Sequence, residues 1–265
     1  MLSLKPFVLA GLATLALVAC GGSGPESTTP TESKGAAPAD ASKAAAPAAA
    51  TGSAVLAGKI SYEGPAPAME KVKLNADPKC AAMHKEGLER WQVHVKDGGL
   101  ADVLVYVKSG LKGGYPPPTE PVLLDQQGCD YHPHMVVMRA GQPLKIRNSD
   151  DTLHNIHPRP KTNPEFNLGQ ARQGMEQVRE GEKGFSKPEI MIPVGCDVHP
   201  WMRAYISVLD NPFFAVTKDD GTFEIKGLPA GEYEIEAYHG KLKSQDQKVT
   251  VKDGETAAVN FTFKG

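Results

Sequence analysis

From Ala54 to the end of the chain, apolar and polar residues alternate in short runs separated by Gly, Pro, Asn and Asp. Val55-Leu-Ala-Gly-Lys-Ile-Ser-Tyr62, Ala101-Asp-Val-Leu-Val-Tyr-Val107 and Gln142-Pro-Leu-Lys-Ile-Arg147 each read as a strand of period two. So do Gly221-Thr-Phe-Glu-Ile-Lys226 and Glu232-Tyr-Glu-Ile-Glu-Ala-Tyr238. Asp219-Asp220-Gly221 and Pro229-Ala230-Gly231 are turn sequences at hairpin spacing. One short helix is expected over Pro78–Arg90, with Asp77 as N-cap and Pro78 in the first helical position, where a missing N–H does no harm. The period is otherwise β throughout, so the expected class is all-β, a β-sandwich.

The amino terminus breaks this pattern. Lys5 precedes an apolar run, Phe7 to Ala19, too short to span a bilayer and stay there, which is the form of a secretory signal over residues 1–19. It ends in Leu17-Val18-Ala19-Cys20, which resembles the bacterial lipobox, and this resemblance makes Cys20 the lipidated first residue. The alternative is a plain signal cleaved near Ala19, leaving Cys20 as a free thiol in an oxidising compartment. Residues 20–53 read as a tether: of the 33 that follow Cys20, 28 are Gly, Pro, Ser, Thr or Ala. Such a segment cannot bury enough apolar surface to offset its ordering entropy, and as a coil it reaches about 30 Å. The expected location is the cell envelope, as a periplasmic lipoprotein. Gly21 after the cysteine points to the outer membrane.

Composition adds two exclusions. With 29 Lys+Arg against 31 Asp+Glu, the formal charge of −2 gives no electrostatic reason to expect nucleic acid as a partner. Aromatics are only 6%, while 27 Gly and 22 Pro suit many turns rather than a helical bundle.

The stretch Thr217 to Ala237, with Asp219-Asp-Gly-Thr-Phe-Glu-Ile225 and Gly227-Leu-Pro-Ala-Gly-Glu-Tyr-Glu-Ile235, resembles the carboxypeptidase regulatory-like (transthyretin-like) domain. That family pairs it with earlier strands that Gly58-Lys-Ile-Ser-Tyr-Glu-Gly64 and Ala101-Asp-Val-Leu-Val105 match loosely. The resemblance implies a discontinuous β-sandwich, 54–120 plus 210–265, with a second domain inserted at 121–209.

The inserted stretch holds the chemistry. In Val194-Gly-Cys196-Asp-Val-His199-Pro-Trp-Met202, a thiolate, an imidazole and a thioether fall within seven residues. Upstream, Leu144-Lys-Ile-Arg-Asn148 leads through a short loop to His154-Asn155-Ile-His157, placing His154 forty-two residues before Cys196. Together these resemble the cupredoxins, blue copper proteins of the amicyanin and plastocyanin kind, which implies a Greek-key β-sandwich joined to or inserted in the other. The resemblance implies one copper per chain, bound by His154, Cys196 and His199 with Met202 as a weak axial ligand. Thiolate and two imidazoles in a trigonal plane are the donor set that suits such a site. It further implies that Asn155 ties the two ligand loops together, and that Pro200 and Trp201 rim an exposed edge of His199 serving as electron port. Zinc could take the Cys and His donors but uses methionine poorly.

Cys80 and Cys129 pair most simply as a disulfide in an exported protein. The alternative gathers Cys129, His132 and His134 into a second metal site. His84, His94 and His239 read as surface residues, His157 as lying beside the site or exposed, and Met135, Met138 and Met191 as core. The function that follows is a non-enzymatic, membrane-tethered, monomeric carrier of single electrons between redox proteins. A copper-handling protein, or a structural β-module with a metal site, is the alternative. Replacing Cys20 with Ser should leave the precursor unprocessed or free the protein from the membrane fraction. Lipid labelling and fractionation measure this, and a wild-type protein that is soluble and unlabelled overturns the anchor.

Overall fold

The computed structural model describes residues 52–74 and 77–265. The signal over 1–19, Cys20 and all but the end of the 20–53 tether lie outside the described residues. Chain order begins with β1 (Ala54–Glu63), β2 (Glu70–Val72), helix α1 (Pro78–Met83), β3 (Leu88–Arg90), β4 (Val95–Lys96), β5 (Gly99–Leu100) and β6 (Val103–Ser109). Next come β7 (Val122–Gln127), β8 (Asp130–His132), β9 (Met135–Arg139), β10 (Leu144–Asn148), β11 (His154–Pro158), β12 (Leu168–Gln170), β13 (Glu176–Arg179), β14 (Glu189–Gly195) and β15 (Arg203–Leu209). The last are β16 (Phe214–Val216), β17 (Thr222–Leu228), β18 (Gly231–His239), β19 (Lys243–Val251), β20 (Thr256–Ala258) and β21 (Phe261–Lys264).

Strand pairing sorts these into two sandwiches and a ribbon. The outer sandwich sets one sheet, β17-β1-β5-β4 with β20 and β21 also on β1, against the antiparallel sheet β16-β6-β18-β19. The inner sandwich sets β13-β10-β7-β8 against β12-β11-β14-β15-β9. Its sheets are mixed, with β7 parallel to β10 and β9 parallel to β15. The chain leaves the outer sandwich after β6 and returns as β16, which pairs directly with β6 (Phe214↔Tyr106).

The strand patterns explain this placement. In β10 every second residue is buried, and β17 alternates likewise through Phe223 and Ile225, as a sheet with one wet face requires. The 103–107 stretch differs from an alternating strand, because all five residues are buried. Val103, Val105 and Val107 face the outer core, while Leu104 and Tyr106 pack with Met135, Met191 and Leu209 of the inner sandwich. β6 is therefore the joint between the two sandwiches. Met138 lies in the inner core itself.

Two expectations are corrected here. The helix ends at Met83; Gly87 takes a left-handed φ of 92°, and Leu88–Arg90 turns back to pair with β2. This β2–β3 ribbon falls within the 54–120 stretch of the expected outer sandwich, yet its Val72 and Leu88 pack around Leu74, Cys80, Cys129 and Trp201. His239 is not on the surface but 4% exposed. Its Nδ1 accepts the Lys241 and Leu242 amides (3.1 and 3.2 Å), closing the β18–β19 turn.

Burial holds the His239 pKa down at about 4. The unfolded chain takes up its proton first, near pH 6.5, so folding loses stability as pH falls from there to about 4. The full loss is about 3 kcal/mol. Denaturation at several pH values should show this slope in the wild type and its removal in His239→Gln. Parallel profiles overturn it.

Candidate metal centre

β14 ends at Gly195, and the seven residues 196–202 carry the chain across to β15. Cys196 N–H donates to the Met202 carbonyl (3.3 Å) and Met202 N–H to the His199 carbonyl (2.9 Å), so the loop closes on itself. His199 N–H donates to Cys196 Sγ at 3.3 Å. His154 opens β11 in the same sheet, where His157 pairs with Gly195. The segments carrying Cys196 and His154 are joined by Asn155, whose Oδ1 accepts the Asp197 and Val198 amides (2.7 and 3.3 Å). Its own N–H points at Cys196 Sγ (3.5 Å), and its carbonyl accepts the buried Tyr131 hydroxyl (2.5 Å).

These contacts converge three donors. Cys196 Sγ and one ring nitrogen each from His154 and His199 lie within 4.8 Å of one another, and all three residues are buried. The nitrogens that meet are both Nδ1, 2.9 Å apart. Each opposite Nε2 is held by a carboxylate: Asp150 at 2.9 Å from His154, and Asp77 at 3.0 Å from His199. With Nε2 protonated on both rings, two Nδ1 lone pairs face each other across a dry space. A proton or a cation must lie between them. The donors thus fit a metal ion that takes one thiolate and two imidazoles. Met202 is fully buried in the inner core cluster with Cys196.

Electrostatics favour the ligand form of the thiol. Burial raises the Cys196 pKa, but its polar contacts with His154 and His199 and the hydrogen bonds from two backbone amides outweigh it and bring it to about 6. Burial would likewise depress His154, but Asp150 and Cys196 overcome it and lift its pKa to about 9. Asp77 is held at about 2, its burial offset by Thr152, His199 and the Lys79 and Cys80 amides. Hydrogen bonds to His154, Cys129 and Gly128 keep Asp150 low against its burial.

The roof over this site differs from expectation. His199 has no exposed edge; its relative exposure is 0%. Asp77, the N-cap of α1, covers Nε2, Cys80 Sγ lies 3.8 Å from it, and the Trp201 ring centroid is 5.0 Å from that of His199. Pro200 is exposed and Trp201 half-buried. Cys80 and Cys129 are disulfide-bonded, which fastens α1 to the inner sandwich. That bond removes Cys129 from a second site with His132 and His134. The other His/Cys/Asp groupings among the described residues share His154 or His199 and include a disulfide sulfur, so one site remains. His157, at the rim, bonds Asp197 (3.0 Å) and Glu165 (2.8 Å). His84 and His94 are partly exposed.

Asp77 and Asp150 are the functional residues that sequence reasoning missed. Asp77 was legible only as a helix cap, and Asp150 only by its position four residues before His154.

The carboxypeptidase regulatory-like domain model matches residues 199–264, from the second half of the metal loop into β21. No curated protein matches the chain. Among solved structures, a copper-containing nitrite reductase from Thermus scotoductus SA-01 is 19% identical over 37% of this chain, with a TM-score of 0.31. That match spans 24% of the reductase, about a quarter of its length. A purple cupredoxin from Nitrosopumilus maritimus is 17% identical, covered over 98% of its length by 33% of this chain, with a TM-score of 0.28. A methionine-to-alanine variant of amicyanin in its Cu(I) form is 14% identical, covered over 99% by 41% of this chain, at 0.29.

Replacing Cys80 and Cys129 together with Ser should cost about 2–4 kcal/mol of stability and loosen the roof over His199. Diethylpyrocarbonate should then modify His199, which wild-type burial protects. Peptide mapping reads the modification, and equal protection in both proteins overturns the assigned role of the bond.

Proposed function

We propose that the chain is a type 1 copper protein that passes single electrons, anchored in the cell envelope through Cys20 and the 20–53 tether. The observation that carries this reading is the buried convergence of Cys196 Sγ with the Nδ1 atoms of His154 and His199. Bound copper would supply a one-electron Cu(II)/Cu(I) couple. The chain's residues do the rest. Asp77 and Asp150 fix the tautomer and direction of each imidazole. The amides of Asn155 and His199 steady the thiolate. The core around Ile156, Val194 and Met202 excludes water.

Rigid donors that need not move between oxidation states suit a carrier. A delivery protein must release its metal, and a disulfide-fastened roof over His199 works against release. A thioether from Met202 as a further donor would favour copper over zinc.

Copper-loaded protein should show an intense visible thiolate-to-copper band, bleached by reduction and restored by oxidation. Cys196→Ser should abolish the band, while Met202→Ala should keep it and shift the reduction potential, since a thioether from Met202 would tune the bound copper without supplying the thiolate chromophore. Absorption spectroscopy and redox titration decide. An unchanged spectrum in Cys196→Ser overturns the site, and loss of copper on each reduction favours handling over electron transfer.

A further inference from the structure

The edge of His199 is sealed, so an electron needs another way to the surface. Trp201 is the aromatic that touches both sides. Its ring lies against His199, its Nε1 donates to the Cys129 carbonyl (3.1 Å), and it also lines a cleft of about 550 Å³. Three parts of the chain wall this cleft: the β2–β3 ribbon with the Trp91 beside it, the inner sandwich at Arg203 and Tyr205, and the outer sandwich at His239 and Lys241.

The charge of the cleft is unbalanced. Lys71, Lys73, Arg203 and Lys241 line it, and none pairs with a carboxylate among the described residues. Arg90 is answered by Asp130, while Glu70 and Asp102 are the acids of the wall. His239 spends Nδ1 on two amides, which leaves its Nε2–H without an acceptor among the described residues. Trp91 is 42% exposed and stacks flat on His94, 5.2 Å between centroids. Excess cations and a spare donor in a concave space call for an anion. The volume falls among those of small-molecule sites, whereas a protein partner needs about 800 Å² of matched surface.

We propose that this cleft docks a small, multiply anionic one-electron carrier, with Trp201 as the contact between that carrier and the His199 side of the metal centre. The electron half rests on the copper reading above; the docking half does not. With hexacyanoferrate(III) as the probe, one electron leaves the reduced centre, hexacyanoferrate(III) becomes hexacyanoferrate(II), and no proton moves.

Two measurements separate the halves. Hexacyanochromate(III), paramagnetic and inert to reduction here, is titrated into metal-free protein under NMR observation. Saturable broadening should gather at the Trp91 and Trp201 indoles and the Lys71 and Lys241 amides. It should vanish in Lys71→Glu/Lys241→Glu and be absent with hexaamminechromium(III). Broadening scattered over the surface, or unchanged in the double variant, overturns the cleft as docking site. In the copper-loaded protein, the same double variant should slow oxidation by hexacyanoferrate(III) on the order of tenfold at low salt. Trp201→Leu should slow it by more than any loss of hexacyanochromate binding. An undiminished rate in Trp201→Leu removes Trp201 from the path and leaves the docking site standing. A protein that binds the chromium probe in the cleft but takes up no copper overturns the electron half, and with it the proposed function.

Discussion

Three electron-pair donors aimed at one dry point repel one another, and the inner sandwich is organised around holding them there. The thiol of Cys196 and the Nδ1 atoms of His154 and His199 have little freedom to turn away. Each imidazole is gripped from behind by a buried or half-buried carboxylate. Asp150 accepts the amides of Gly128 and Cys129 as well as His154 Nε2. Asp77 caps α1, accepts Thr152 Oγ1 and holds His199. Each carboxylate thus joins an imidazole to a neighbouring loop, and a shift in one would be felt in the other. These contacts aim the two Nδ1 lone pairs at the thiol.

The inner sandwich does not supply all of these contacts. His199 is covered by a residue 122 positions earlier in the chain, on a helix of only six residues. A helix that short is not stable by itself. The capping oxygen of Asp77, the Cys80–Cys129 bond and the packing of Leu74 give α1 its fixed place. The roof is therefore borrowed from sequence belonging to neither sandwich core.

Much of this was legible in the residues. Cys196, His199 and Met202 stand close enough in sequence to be read as one loop, and His154-Asn155 follows a strand whose apolar alternation is plain. Asn155 lies between the two loops, its oxygen accepting the Asp197 and Val198 amides. The carboxylate partners were not legible, since Asp77 reaches its imidazole only after the ribbon has folded back over the inner sandwich. For the same reason the His199 edge read as open. His239 read as a surface histidine, because period and spacing say nothing about a side chain that tucks beneath its own turn to accept the Lys241 and Leu242 amides. The unbroken apolar run of β6 was masked by its own alternation: both faces are buried, but against different cores.

The pairing of β16 with β6 carries a consequence for how the whole chain would respond to a bound ion. The inner sandwich begins and ends beside the same outer strand, so once folded it acts as a short staple in place of a long floppy loop. Closing the outer sandwich then depends on the integrity of a body with which it shares the seam along β6, β16 and β18. Anything that binds the folded inner sandwich alone draws the equilibrium of both toward the native state. An ion seated among Cys196, His154 and His199 would thereby hold β1 against β17 and β21, strands that contribute none of its donors.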